Sequence, residues 1–370
     1  MIRVTHLSVV RHLTPGQAKQ LSCEIDVGSR IADVRWVTLA LQSSTPTSPL
    51  SRRIPPLFRP MFLRNLYGWV TALRLSRECD YLLMRHMTFD PFAFIFAPMI
   101  RNRVSIHHSK EVDELRLVST GWKGQAASFL EGLSGRVAVR HARMVAGVTR
   151  EIAEYERAMY DPNKPVAVYA NGVNSESITL LGDRRDRHTT CAAFICGTFA
   201  DWQGLDKLLA AVDAAAEADA RPELKIYLIG RLSEKQLQEI AATPSRASVF
   251  VNCGFLEELR YRALLDHCHL GIGSLALERA NLTEAATLKV REMLAMGLPV
   301  YSLHRDGSLP DDFPHYLNDD MVSISRLVAF ARQHDDIGRR QVSEAARPFI
   351  SKEHEMRRLC DTLQALSEPA

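Results

Sequence analysis

An α/β protein of two doubly wound, Rossmann-like domains is predicted, and three observations predict it. The chain has 370 residues, long for one hydrophobic core and comfortable for two. Short apolar runs alternate with longer segments of helical periodicity almost from end to end, the pattern of parallel sheets covered by helices. That pattern occurs twice, on either side of a charged stretch poor in apolar residues.

In the first half, 3–10, 34–41, 81–85, 104–106, 144–148 and 166–169 read as buried strands, in an order that suits a doubly wound sheet. The second half repeats the scheme with strands at 193–196, 225–229, 249–251, 270–272 and 300–303, separated by helices such as 205–218. A boundary is expected within 172–190, where Asn171, Gly172, Val173 and Asn174 read as a turn. The expected domains are therefore 1–172 and 173–348, followed by a segment 349–370 whose helix, about 349–366, crosses back onto the first domain. One segment stands apart, SRRIPPLFRPMFLRN at 51–65, which mixes four arginines with apolar side chains. Pro55, Pro56 and Pro60 prevent a continuous helix, so only Met61 onward is helical. Two readings stay open for it, an interfacial membrane segment and a loop packed on its own domain.

Hydrophobic residues make up 46% and charged residues 24% of the chain, which excludes a largely disordered protein. Residues 1–180 carry 23 Lys and Arg against 15 Asp and Glu, and the remainder 23 against 28. A basic first half and an acidic second point the first half toward an anionic partner: phosphate on a lipid-linked substrate or an anionic membrane surface, with nucleic acid the least expected. A merely solvated arginine-rich face is the plain alternative. The seven cysteines show no CxxC pair, so they read as reduced thiols of a cytoplasmic protein, one that can lie peripherally on the inner membrane face. The first residues lack the uninterrupted apolar core of a signal peptide, and the most apolar stretch, 89–100, is short and holds Pro91 and Pro98.

Chemistry concentrates around Glu284 and Glu292, seven residues (AATLKVR) apart. Thr287 is placed to cap a helix over 288–296, Gly297 suits the position after its end, and Pro299 prevents continuation. The free amides of Leu288 and Lys289, the helix dipole and the Lys289 ammonium make an anion site that suits a diphosphate. Glu292, one turn in, can accept hydrogen bonds from vicinal ribose hydroxyls, while Glu284 reaches a group beyond the phosphates. A glutamate pair at this spacing is common on solvated helix faces, so the motif gains weight only from its neighbours.

With those neighbours the sequence resembles the family-4 retaining glycosyltransferases of the GT-B fold, whose hallmark is Glu, seven residues, Glu, then a Gly-x-Pro-Val ending, here Gly297 to Val300. The segment VYANGVN at 168–174 resembles the family's interdomain turn, and CGTFADWQGL at 196–205 its glycine loop. LIGR at 228–231 and VNCGF at 251–255 resemble the next two strand ends. The resemblance implies two Rossmann-like domains facing a cleft and a donor of UDP or GDP type. It further implies Glu284 on the donor sugar, Leu288 and Lys289 on the diphosphate, Glu292 on the ribose and the loop Cys253, Gly254, Phe255 on the base. Gly197, Thr198, Gln203, Gly204, Arg231 and Thr287 complete the implied donor site. One departure matters, because the family's two diphosphate cations fall at Thr198 and Gln203, leaving Lys289 and Arg231 to replace them.

In the first domain His107 and His108 end a predicted strand, where similar enzymes face a histidine to the donor sugar, and His86 is a further candidate. The loop after the first strand holds Gly16 and Lys19, the expected acceptor contacts, with Arg11 beside them. No Asp-x-Asp pair marks a metal site, and neither metal nor cofactor is expected, the nucleotide sugar being substrate. The expected activity is metal-independent, retaining hexosyl transfer to a hydroxyl acceptor of a cell-envelope glycan or lipid-linked saccharide. A nucleotide-sugar epimerase of the same architecture and a non-catalytic sugar-nucleotide binder are the rivals.

Overall fold

The computed structural model describes residues 1–44, 51–118, 121–218 and 223–366. The chain divides into two compact units, unit 1 of Met1–Asn174 with Ser351–Ala370 and unit 2 of Ser175–Ile350.

Unit 1 holds strands β1 (Ile2–Val10), β2 (Val34–Gln42), β3 (Ser51–Arg53), β4 (Tyr81–Arg85), β5 (Arg103–His107), β6 (Met144–Gly147) and β7 (Val166–Val168). They form one sheet in the order β3-β2-β1-β4-β5-β6-β7, with every pairing parallel. Helices cover both faces, so β1 is buried along most of its length and reads as a nearly continuous apolar run. Val4 packs with Leu83 and with Met356, Leu359 and Leu363 of the C-terminal helix Lys352–Ala365. Leu7 and Val9 face the other way, against Trp69 and Ala72 of the helix Met61–Leu75.

A polar brace ties the C-terminal helix into this unit. The Glu24 carboxylate pairs with His6 at 2.6 Å and Lys352 at 3.1 Å, and accepts the Tyr169 hydroxyl at 2.8 Å, all four side chains being buried. Burial alone would raise the Glu24 carboxyl, but His6 and Lys352 hold it well below the usual carboxylate range.

Unit 2 contains β8 (Thr190–Thr198), β9 (Leu224–Arg231), β10 (Phe250–Gly254), β11 (Leu270–Ile272), β12 (Val300–Ser302) and β13 (Tyr316–Asn318). Their order is β10-β9-β8-β11-β12-β13, again all parallel. Phe194 of β8 and Leu228 of β9 pack on Leu205, Leu208 and Val212 of the helix Leu205–Glu217. Gly230 has φ 142, and a Cβ there would stand 1.8 Å from the Cys196 carbonyl oxygen, so only glycine lets β9 run this close to β8.

Three features differ from the sequence expectation. Strands β3 and β13 were not anticipated, because a three-residue edge strand carries too little apolar periodicity to announce itself. The helix expected at about 349–366 is Lys352–Ala365, which starts where the Ser351 hydroxyl accepts the His354 amide, and it is preceded by a helix that was not anticipated, Arg339–Ile350. The 51–65 segment is an edge strand, a single helical turn at Pro56–Phe58 and the start of the helix Met61–Leu75; Ile54 and Asn65 are buried, while Leu57, Met61 and Phe62 remain exposed. Among the described residues no helix is long and apolar enough to cross a membrane, and all seven cysteines are free thiols.

Candidate functional site

Parallel strands place all their carboxyl ends at one edge, and ligands of open α/β sheets gather where the strand order reverses. In unit 2 the order runs outward from β8 through β9 to β10 and from β11 through β12 to β13, so the crevice lies beyond the ends of β8 and β11. Gly197 and Thr198 end β8 and are exposed, and Ser274 follows β11. Between β8 and its helix, Asp201–Gln203 forms a single helical turn closed by Gly204 at φ 75, where a Cβ would stand 2.8 Å from the Leu275 backbone. The chain therefore re-enters close to β11 and directs Gln203 into the crevice, its carboxamide oxygen accepting the Ser274 hydroxyl at 3.3 Å.

The helix Leu288–Ala295 supplies the rest. Val290, Arg291, Met293, Leu294 and Ala295 are buried, which leaves Leu288, Lys289 and Glu292 as its partly open stripe. Thr287 occupies the capping position, but its hydroxyl does not cap; the oxygen is buried without a hydrogen-bond partner, and the helix ends at Ala295. The first amides are thus left without a side-chain acceptor, the condition under which a helix start receives an anion.

Lys289 bends toward β8. Its ammonium donates to Gln203 Oε1 at 2.6 Å, lies 3.7 Å from Cys196 Sγ and sits 5.0 Å above the Phe194 ring. Burial pulls it below the ordinary lysine range. Gln203, expected to stand where a cation would, instead holds the Lys289 ammonium through its carboxamide.

Glu284 pairs with Arg305 at 3.6 Å and lies against Gly307 in the loop after β12. That loop is braced from below by a fully buried ion pair. Arg291 meets Asp306 at 2.9 Å and donates to the Ser308 hydroxyl at 2.7 Å. At the ends of β9 and β10, Arg231 stands beside Thr198 in register and over the exposed Phe255 ring at 5.6 Å, next to Cys253 and Gly254. The sequence reading missed His304, whose Nδ1 contacts Ser302 Oγ at 2.7 Å and whose Nε2 is buried without a partner. Burial, with Lys289 nearby, depresses it to about 4, so the ring is neutral. Its only sequence signal was its place just past a predicted strand.

In unit 1 the order reverses between β1 and β4, and a pocket of about 420 Å³ opens there. His108 lines it, kept neutral by burial and by Arg85. His107 does not reach it: the ring is wholly buried, bonded to Glu111 at 3.0 Å and to Ser105 at 2.9 Å, and stacked on His86 at 4.6 Å. The strand's alternation turns successive side chains to opposite faces, which is why only one of the two histidines lines the pocket. Gly16 and Lys19 are exposed on the first turns of the helix Pro15–Gly28, and the lining from that segment comes from Thr14 and Gln17 instead.

Beneath the pocket, His107, Glu111 and Glu156 are the cluster of described residues whose donor atoms, all within 4.8 Å of one another, are near enough to hold a cation. Burial raises Glu111 to about 7, and burial with the nearby Glu111 carboxylate raises Glu156 to about 9. Burial alone would depress His86, yet the Glu131 carboxylate 2.8 Å away holds it at about 9. Each of these groups binds protons more tightly folded than unfolded, so their linkage makes unit 1 less stable as pH rises. The Glu156 share declines from about 4.5 and the His86 share from about 6.5, both being lost near pH 9. A melting series from pH 6 to 9 is expected to show this fall and Glu156→Gln to flatten it; a parallel slope in the variant would remove the carboxyl from the account.

No protein-family model matches the sequence, and no curated protein matches it. Solved structures do. HepE of Anabaena, in complex with UDP and glucose, superposes at TM-score 0.62 with 14% identity, over 99% of this chain and 100% of that one. Sucrose-phosphate synthase of Thermosynechococcus elongatus gives 0.65 at 12% identity over 99% and 100%. The lipopolysaccharide outer core galactosyltransferase WaaB, in its apo form, gives 0.63 at 10% over 98% and 99%. At such identities the likeness shows the fold, and the fold is GT-B.

Proposed function

We propose that the chain is a retaining, metal-independent hexosyltransferase that takes its sugar from a nucleotide diphosphate donor held by unit 2. The observation that carries this reading is the crevice beyond β8 and β11, where a helix start without a side-chain cap, the Lys289 ammonium and the carboxylates Glu284 and Glu292 come together. HepE, solved with UDP-glucose as well as with UDP, supports a donor of that chemistry.

In this reading the diphosphate lies on the amides of Leu288 and Lys289, Glu292 accepts the ribose hydroxyls and Glu284 those of the sugar. Reaction breaks the bond from the anomeric carbon to the diphosphate oxygen and forms one to an acceptor hydroxyl on the same face, the hydroxyl proton passing to the departing phosphate. Negative charge grows on the leaving group, and fixed N–H donors and an ammonium in a partly desolvated crevice stabilise it without reorganising. The acceptor is a hydroxyl of a cell-envelope glycan or lipid-linked saccharide.

Calorimetric titration with a panel of nucleoside diphosphates tests the donor site. One nucleotide is expected to bind best, and Glu292→Ala to weaken it about tenfold, the worth of one to two hydrogen bonds to a charged acceptor. A folded protein that binds none of them would sink the reading. Thr198 and Gln203, standing where the family carries cations, favour a non-catalytic binder as the second reading. Nucleotide released only with an acceptor present, and unaffected by chelator, marks the transferase; tight binding without release marks the binder, and sugar inversion without acceptor an epimerase.

A further inference from the structure

The pocket of unit 1 gathers three arginine side chains. Arg11 follows β1, Arg85 ends β4 and Arg64 projects from the helix Met61–Leu75; all three line the pocket. Among the described residues none of the three makes a salt bridge or a side-chain hydrogen bond. Arg64 Nε is buried with no acceptor. Burial draws both Arg64 and Arg85 below the ordinary arginine range, and Arg11 adds to the effect on Arg64 by repulsion.

Two carboxylates, Glu111 and Glu114, line the same pocket and attract Arg85 through space without a salt bridge to it. Glu111 is bonded to His107, while Glu114 accepts the Ser109 hydroxyl. Arg64 and Arg85 are partly desolvated and Arg11 repels Arg64, a cost that a bound anion offsets. The planar fork of arginine matches the oxygens of a phosphate or carboxylate in two-point contact.

We propose that this pocket binds an anionic group, phosphate or carboxylate, carried by the acceptor sugar, with Arg11, Arg64 and Arg85 as its receptors. The substrate class that follows is an acidic or phosphorylated saccharide rather than a neutral one, and this assignment of the acceptor rests on the transferase reading above. The alternation of the parallel strands explains the site: β1 and β4 are neighbours that diverge in connection, so their ends leave the one gap in unit 1 into which arginines from two strands and a helix can reach.

The test is titration of the full chain, with the preferred nucleoside diphosphate present at saturation, using inorganic phosphate, a hexose 6-phosphate, a hexuronate and the neutral hexose. Both charged sugars or one of them are expected to bind at least tenfold more tightly than the neutral hexose, with Arg64→Gln and Arg85→Gln each removing about tenfold. Arg11→Gln, at an exposed position, serves if either of the other variants fails to fold. Binding of inorganic phosphate alone, without preference for a charged sugar, would overturn the acceptor assignment, as would binding indifferent to all three arginine changes. Failure here with intact nucleotide binding leaves the transferase reading standing; loss of nucleotide binding with anion binding intact would sink that reading and reduce the pocket to an anion site.

Discussion

Asp306→Ala is expected to destabilise unit 2 by about 3–5 kcal/mol, the cost of leaving one member of a buried ion pair without its partner. Arg291 and Asp306 are both wholly buried, and the carboxylate also accepts the Ser308 amide at 3.1 Å, so the change strands a guanidinium and frees the turn above it. For a unit of this size the melting temperature should fall by roughly 10 °C. Because Arg305 and Gly307, which touch Glu284, belong to that turn, the nucleotide sugar should also bind less well than the parent nucleotide does. Adding Arg291→Met removes the stranded charge and should recover much of the stability but not the sugar preference. Calorimetric melting of the single and double variants decides the matter: a loss below 1 kcal/mol in Asp306→Ala would show that the pair is not the brace described here.

Lys289→Ala is expected to lower turnover by about 10²–10³-fold, the range found when one preorganised charge-stabilising donor is removed from an active site. The ammonium touches both Gln203 and Cys196 at the end of β8. Its pull on a diphosphate grows as negative charge develops there, so kcat should fall more than nucleotide affinity. Steady-state rates and direct titration separate the two effects. Gln203→Lys gives a complementary measurement, since a second ammonium at this position should repel Lys289 toward the diphosphate and raise turnover or affinity. Kinetics unchanged in both variants would remove Lys289 from the site.

The division between what was legible in the chain and what was not follows from the range of the interactions. Strands such as β4 and β11 were readable to their bounds because both faces are buried and their side chains are apolar up to the arginine that ends β4, a local property. The helix Leu288–Ala295 was readable because Gly297 and Pro299 end it through backbone constraints that act over two or three residues. The same sequence determined which carboxylates flank that helix and where the expected cations are missing.

Only the tertiary structure decided which side chains meet. Nothing local links Gln203 to Lys289, 86 residues later, or sets Arg11, Arg64 and Arg85 around one pocket; these are consequences of strand order, which depends on long-range pairing. His107 and His108 are adjacent in sequence, yet the pleat of β5 and the carboxylates beneath it put one into a buried network and the other beside the pocket. Thr287 sits where a helix cap belongs, and its backbone adopts that role while its hydroxyl does not. Periodicity and turn chemistry act between near neighbours and can be read from the chain, whereas a site assembled from the ends of several strands exists only once the sheet has formed.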